Sequence, residues 1–399
     1  MRDLFAIRDL VVFLQLRIAM IFGAQILSVA VGWHIYEITG NPLALGLIGL
    51  FQFLPFLVTF LFAGLVADRL DRRLVLSLCN VLDAIAVTGV GLFLLSQPEQ
   101  VWPVYILLAL HATARTFTHP AQQAILPSLV PEHLFARAVA LSSSVLKLGQ
   151  LIGPAIGGVL VATIDRNTYF VAVLFLLLAA GFAYLIQTRV MIESDEPISR
   201  ESLLGGFAHM KREPLVFAAI SIDLAIVLFG SVMGLLPIFV QDILNAGPET
   251  LGILRAAPGL GALVVAIILA RITPEFHMGR AFLVALLLFG VSILVFGVST
   301  SLWISITALL IYGATDMMSV YVRMTLVQLR TPNELRGRVS SINSLSINAS
   351  NELGDFRAGS MAAVIGPVGS VIVGGVICLG TALLWWRLFP ELRTLKTLT

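Results

Sequence analysis

Ser341, Ser344, Asn348, Glu352 and Asp355 recur at steps of 3, 4, 4 and 3 residues, which places them on one face of a helix, and Arg357 follows. This is the stretch of the chain most costly to place in lipid. An ionised carboxylate facing lipid costs about 2.5–3.5 kcal/mol on insertion scales, so Glu352 and Asp355 must face protein or water. Desolvation favours the protonated form of such an acid, which lets it load and release a proton near neutral pH or contact a substrate. The alternative is a structural polar network with Arg357 or Asn351.

Other charges stand alone in apolar stretches: Arg115, Lys147, Asp223 and Asp316. Each is a candidate for proton coupling or substrate contact, and each could instead be half of a structural ion pair. Arg115 and Asp316 could also pair with each other to close an inner gate. Gln25 and His34 lie in the first apolar segment, where a lone His is more often a satisfied core residue. His111, Gln122, Tyr312, Arg323 and Asn348 complete the set of candidate cavity-lining residues.

The elements that must position these groups are membrane helices. The chain has 399 residues, 58% hydrophobic and 12% charged, with a mean hydropathy of +0.97, far from a soluble average. Runs of about 20 apolar residues span the ~30 Å of a bilayer core. They predict an all-α polytopic membrane protein of twelve helices near 15–38, 44–66, 74–96, 102–124, 140–163, 168–187, 214–240, 251–271, 281–299, 302–326, 339–363 and 366–388. Lys and Arg concentrate in the even-numbered gaps, which predicts cytosolic termini. The hydrophilic stretch 189–213 reads as a cytosolic linker between six-helix halves at 1–188 and 214–399.

An internal repeat supports two halves. Pro131-Glu-His-Leu134-Phe-Ala-Arg137 aligns with Pro332-Asn-Glu-Leu335-Arg-Gly-Arg338 at an offset of 201 (332 − 131). The same offset maps His111, Arg115, Thr118 and Gln122 onto Tyr312, Asp316, Ser319 and Arg323. Two halves sharing a polar stripe are the layout of a transporter whose site lies at the repeat interface near the midplane.

Between the second and third helices stands Gly64-Leu-Val-Ala-Asp68-Arg69-Leu-Asp71-Arg72-Arg73. This loop resembles the signature of the major facilitator superfamily, with Asp71 where the signature has a second Gly. A weaker echo follows the eighth helix, with Glu275 and Arg280 in the places of Asp68 and Arg73. The resemblance implies a conformational latch made by Gly64, Asp68, Arg69, Arg72 and Arg73, with Asp68 facing the start of helix eleven and substrate bound elsewhere. Gly149, Gly153, Pro154, Gly157 and Gly158 are similar to the antiporter motif of exporters in that superfamily, with generic helix packing as the plainer reading. Gln123-Ala-Ile-Leu-Pro127, Arg336-Gly-Arg338 and Asn351-Glu352-Leu-Gly354-Asp355 look like the branch that includes enterobactin exporters and macrolide-efflux proteins.

The resemblance implies a secondary transporter in a bacterial inner membrane, exporting an amphipathic small molecule such as a siderophore, macrolide or other drug by proton antiport and alternating access. A siderophore importer is the alternative within transport; a lipid flippase or a non-transporting membrane sensor is the alternative outside it. The sequence has no Walker-type phosphate loop, metal-ligand spacing or nucleophile–base pair, so no enzyme, metal or cofactor is expected. The expected partners are the small molecule, protons and the lipid bilayer, with no nucleic acid, and the chain is expected to act as a monomer. Cys79 and Cys378 sit in apolar runs as packing residues.

Overall fold

The computed structural model describes residues 2–188, 213–271 and 278–391. The linker 189–212 and Glu275 lie outside the described residues, as do Gly64, Asp68, Arg336, Arg338 and Ser341 beyond their helical backbone. Every described element is helical. After a single turn at Arg2–Phe5 the long helices are α1 (Arg8–Thr39), α2 (Pro42–Arg69), α3 (Arg72–Leu95), α4 (Trp102–Leu129), α5 (Glu132–Ile164) and α6 (Thr168–Leu185). They continue as α7 (Pro214–Gly230), α8 (Pro248–Arg271), α9 (Met278–Val298), α10 (Leu302–Arg330) and α11 (Asn333–Leu388).

Local chemistry sets the ends. α1 stops at Gly40, whose φ of +55° is left-handed and whose N–H returns to the Tyr36 carbonyl at 2.8 Å. Asp71 caps α3 by accepting from the Arg73 N–H at 3.0 Å, which gives this departure from the superfamily signature a structural use. Asp71→Ala should therefore lower stability by about 1 kcal/mol. A thermal unfolding midpoint in detergent equal to wild type would refute that.

α11 is 56 residues long, ~80 Å at 1.5 Å per residue, and breaks at Gly366 (φ +80°) before Pro367. The break separates arms at 333–365 and 367–388, where the sequence predicts separate helices eleven and twelve. Helix seven differs from expectation. The apolar run 214–240 reads as one helix, but α7 ends at Gly230 and resumes in short pieces: a 3₁₀ turn at Met233–Leu235, an α turn at Leu236–Ile238 and a π-helical stretch at Phe239–Ile243. Apolarity alone does not register a break whose backbone groups find partners elsewhere.

Among the described residues, nine stretches are long and apolar enough to cross a membrane; Glu132–Leu185 holds α5 and α6, and Ile342–Leu388 spans the break in α11. Leu78, Ile85 and Leu92 recur every seven residues on α3 at 68%, 60% and 59% exposure, an apolar stripe that suits lipid rather than water. Hydroxyls inside the helices bond back to their own backbone, as Thr88 does to Ala84, Thr116 to Ala112 and Ser221 to Phe217. That satisfies each O–H without water.

The chain divides into two compact units. The first holds α1, α2 from Phe51 onward, α3 to α6 and residues 247–256 at the start of α8. Within it α1 packs on α5 and α6, and α3 packs on α4 and α6. Leu10, Phe13, Leu16, Leu76, Ile125 and Leu134 form a closed core at one end. The second unit holds residues 41–50, α7, the rest of α8 and α9 to α11. There α7 runs along α11, and α9 packs on α10 and α11. Phe282, Phe289 and Phe296, two helical turns apart on α9, fill its core.

Candidate functional site

In the first unit the α3 and α4 faces meet through a buried pair. Asp83 and His111, each 4% exposed, face each other at 2.5 Å between Oδ1 and Nδ1. His111 was a sequence candidate, whereas Asp83 was missed. Its signal was visible as a single charge inside an apolar run, but nothing in one sequence joins residues 28 positions apart. Arg17 of α1 donates to Ser142 of α5 at 2.5 Å. Gln25 reaches the Gln150 carbonyl at 3.5 Å, and half-buried Gln122 lies 3.5 Å from the Met20 sulfur. His34 is enclosed between Tyr169 and Asp165 at the opposite end of α1 from Arg17. Arg115 and Lys147 are exposed on α4 and α5.

The loop arginines are used inside this unit. Arg72 is buried and donates to the Ala124 carbonyl near the end of α4 at 2.8 Å. Arg73 forms an ion pair with Asp71 and reaches the Ile186 carbonyl beyond α6 at 2.6 Å. Arg69 is exposed. Arg255, at the start of α8, donates to Ser28 of α1 at 2.5 Å.

The glycine motif of α5 brings backbones close. A Cβ on Gly153 would sit 2.7 Å from the Gln25 Cβ, and one on Gly157 would sit 3.2 Å from the Ile26 Cα, so these positions seat α5 on α1. Gly149 likewise meets Ile21. Gly158 faces the other way, toward the Pro248 carbonyl and Gly252, and Gly252 in turn lies on the carbonyl of Pro154.

The second unit holds a buried polar cluster. Asp223 of α7 pairs with Arg323 of α10, at 4% and 2% exposure. Ser319, one turn before Arg323, donates to Asp223 at 3.5 Å. Asp316, half-buried on the same helix, acts on Asp223 through space. Arg323 keeps a buried Nε with no hydrogen-bond partner among the described residues. Tyr312 packs its ring on Phe289 with centroids 4.4 Å apart. The α10 stripe read from the sequence thus gathers Asp223, Ser319 and Arg323 into one buried network, which α7 completes.

Asp355 and Arg357 serve the break after α7. The Asp355 carboxylate accepts from the Ser231 hydroxyl and, at 3.2 Å, from the Gly234 N–H that opens the next turn. Arg357 donates to the Phe229 carbonyl at 2.6 Å, the Leu228 carbonyl at 3.3 Å and the Ser231 carbonyl at 3.5 Å. Orphan N–H groups after the break meet an anion and orphan carbonyls before it meet a cation, as helix ends require. Glu352 is half-buried, with its carbonyl against Gly49 of α2, and Asn348 is exposed with its amide on the Ser344 carbonyl.

A buried carboxylate held by a guanidinium has two stable states, ion-paired or protonated, and exchanging them moves one proton and frees one cation. That is chemistry for coupling, with no bond made or broken in a substrate.

Comparison with known proteins agrees with this fold. A family model described as "Transmembrane secretion effector" matches residues 7–397. The chain is 26% identical over 386 residues to an enterobactin exporter, EntS, of Citrobacter koseri, covering 95% of this chain and 91% of that protein. It is 22% identical over 365 residues to macrolide efflux protein A of Streptococcus pyogenes, covering 89% and 90%. Among solved structures, a POT family transporter in complex with 5-aminolevulinic acid superposes with a TM-score of 0.76 at 16% identity, covering 96% of each chain. Matched by its family model over nearly its whole length, the chain belongs to the major facilitator superfamily, in the family of transmembrane secretion effectors, and is a multi-pass membrane transporter rather than an enzyme.

Proposed function

We propose that this chain exports an amphipathic small molecule from the cytosol of a bacterium by antiport with protons. The observation that most supports coupling is the buried Asp223–Arg323 pair between α7 and α10. Protonation of Asp223 removes the attraction that holds Arg323. The freed guanidinium, with its Nε already lacking a partner, is then available to an acceptor group on the cargo or to a new packing of α10 on α7. Asp355, tied to the helix break, holds α7 in the geometry this exchange needs. The names of the relatives, an enterobactin exporter and a macrolide efflux protein, favour export and a cargo of siderophore or drug type.

In this reading twelve crossings form two six-helix halves, 1–188 and 214–399, with both termini cytosolic. Transport follows alternating access by the two halves. The loop from Gly64 to Arg73 acts as a latch on one conformation, and Arg115, Lys147, Asp316 and Glu352 contribute to substrate or proton handling.

The test is efflux of a fluorescent macrolide or a catecholate siderophore from proteoliposomes under an imposed pH gradient. Transport that collapses with a protonophore is the expected result. Efflux that ignores the gradient overturns proton coupling, and accumulation in the opposite direction overturns export.

A further inference from the structure

His34, Glu37 and Asp165 converge at one end of the first unit, away from the buried pair of α3 and α4. Each offers one ligand atom, and these atoms all lie within 4.8 Å of one another. His34 and Glu37 are three residues apart on α1 and so share a face. Asp165 comes from the turn between α5 and α6, 131 residues away, which is why no sequence spacing announced the set. Its φ of +48° is positive, a conformation that non-glycine residues seldom occupy.

The imidazole is fully buried and held at both nitrogens. Nδ1 lies 3.0 Å from the hydroxyl of Tyr169, itself fully buried in the first turn of α6, and Nε2 lies 2.9 Å from Asp165 Oδ1. A simple hydrogen-bonded histidine accounts for these contacts, with Tyr169 donating to Nδ1 and Nε2–H donating to Asp165. It gives no part to Glu37, whose carboxylate stands within 4.8 Å of the ligand atoms of both His34 and Asp165. The other tautomer accounts for all three. Nδ1–H then donates to the Tyr169 oxygen, and the Nε2 lone pair faces two anionic oxygens with a cation between them.

A nitrogen and an oxygen each about 2.0–2.2 Å from a tetrahedral ion stand about 3.4 Å apart, so the 2.9 Å between Nε2 and Asp165 Oδ1 would open by about 0.5 Å to admit it. The buried Tyr169 is the outer partner that a metal-bound histidine needs to fix its tautomer and ring. The Asp165 side chain is 70% exposed, so an ion can enter from water and keep water ligands.

We propose that His34, Glu37 and Asp165 bind a divalent first-row transition-metal ion, with Zn2+ the best match to one imidazole and two carboxylates. The ion would clip the last turn of α1 to the α5–α6 turn.

Calorimetric titration of ZnCl2 into metal-stripped, full-length protein in detergent should show one site per chain. Glu37→Gln and Asp165→Asn, both at exposed positions and outside the Tyr169 contact, should each weaken Zn2+ affinity at least about tenfold, since each removes a ligand. Tyr169→Phe should weaken it about 10–100-fold through the orientation of His34. Wild-type protein that takes up no Zn2+, or Glu37→Gln and Asp165→Asn variants that bind it with unchanged affinity, would overturn the proposal.

Discussion

Asp223→Ala should unfold the second unit at markedly milder conditions than wild type, by about 3–5 kcal/mol, because it strands the Arg323 guanidinium in the core. Arg323→Ala should cost about as much through the stranded carboxylate. Both variants should lose transport. The double variant is more informative: with neither charge left to strand, it should regain much of the stability while transport stays absent. Chemical unfolding in detergent measures the first quantity and proteoliposome efflux the second. If the double variant is as unstable as the sum of the singles, the two residues are not coupled and the pair is not the switch. Asp223→Asn keeps a hydrogen-bonding group but cannot titrate, so it should spare substrate exchange at equilibrium while abolishing uptake of protons.

Arg357→Ala should be the second severe lesion. Its guanidinium serves three carbonyls at the end of α7, and Ala leaves those of Leu228 and Phe229 without this donor. An unsatisfied buried carbonyl costs about 1–3 kcal/mol, so a loss of about 2–6 kcal/mol follows from the two together. Arg357→Lys should restore less than half of it, since one ammonium cannot reproduce the fork. Hydrogen exchange at residues 228–238 should quicken by more than in the distant α3. Wild-type thermal stability in Arg357→Ala would show that the break holds itself together without the clamp.

The sequence carried the all-helical fold because lipid imposes a single length and composition on each crossing, and the Gly366-Pro367 break falls where two predicted helices separate. The repeat offset also put Ser319 and Arg323 on one face of α10, where they line the network around Asp223. What stayed illegible depends on through-space partners. Asp83 meets His111 across helices, and the end of α7 at Gly230 depends on acceptors and donors supplied from α11. Apolar patterning reports where a helix is affordable in lipid, and cannot report that Asp355 and Arg357, more than 120 residues on, replace hydrogen bonds that a continuous helix would have made for itself. Glu352 and Asp355 looked alike in the sequence stripe, and nothing in that stripe shows that the Asp355 carboxylate is tied to the break through Ser231 and Gly234.

The Asp223–Arg323 pair has an electrical corollary. One elementary charge crossing a full membrane potential exchanges about 2.3 kcal/mol per 100 mV. An aspartate and an arginine carried together sum to zero, so the intact pair adds no work against that potential when α7 and α10 move. Once a proton neutralises Asp223, the pair contributes one net positive charge, and its displacement becomes sensitive to voltage.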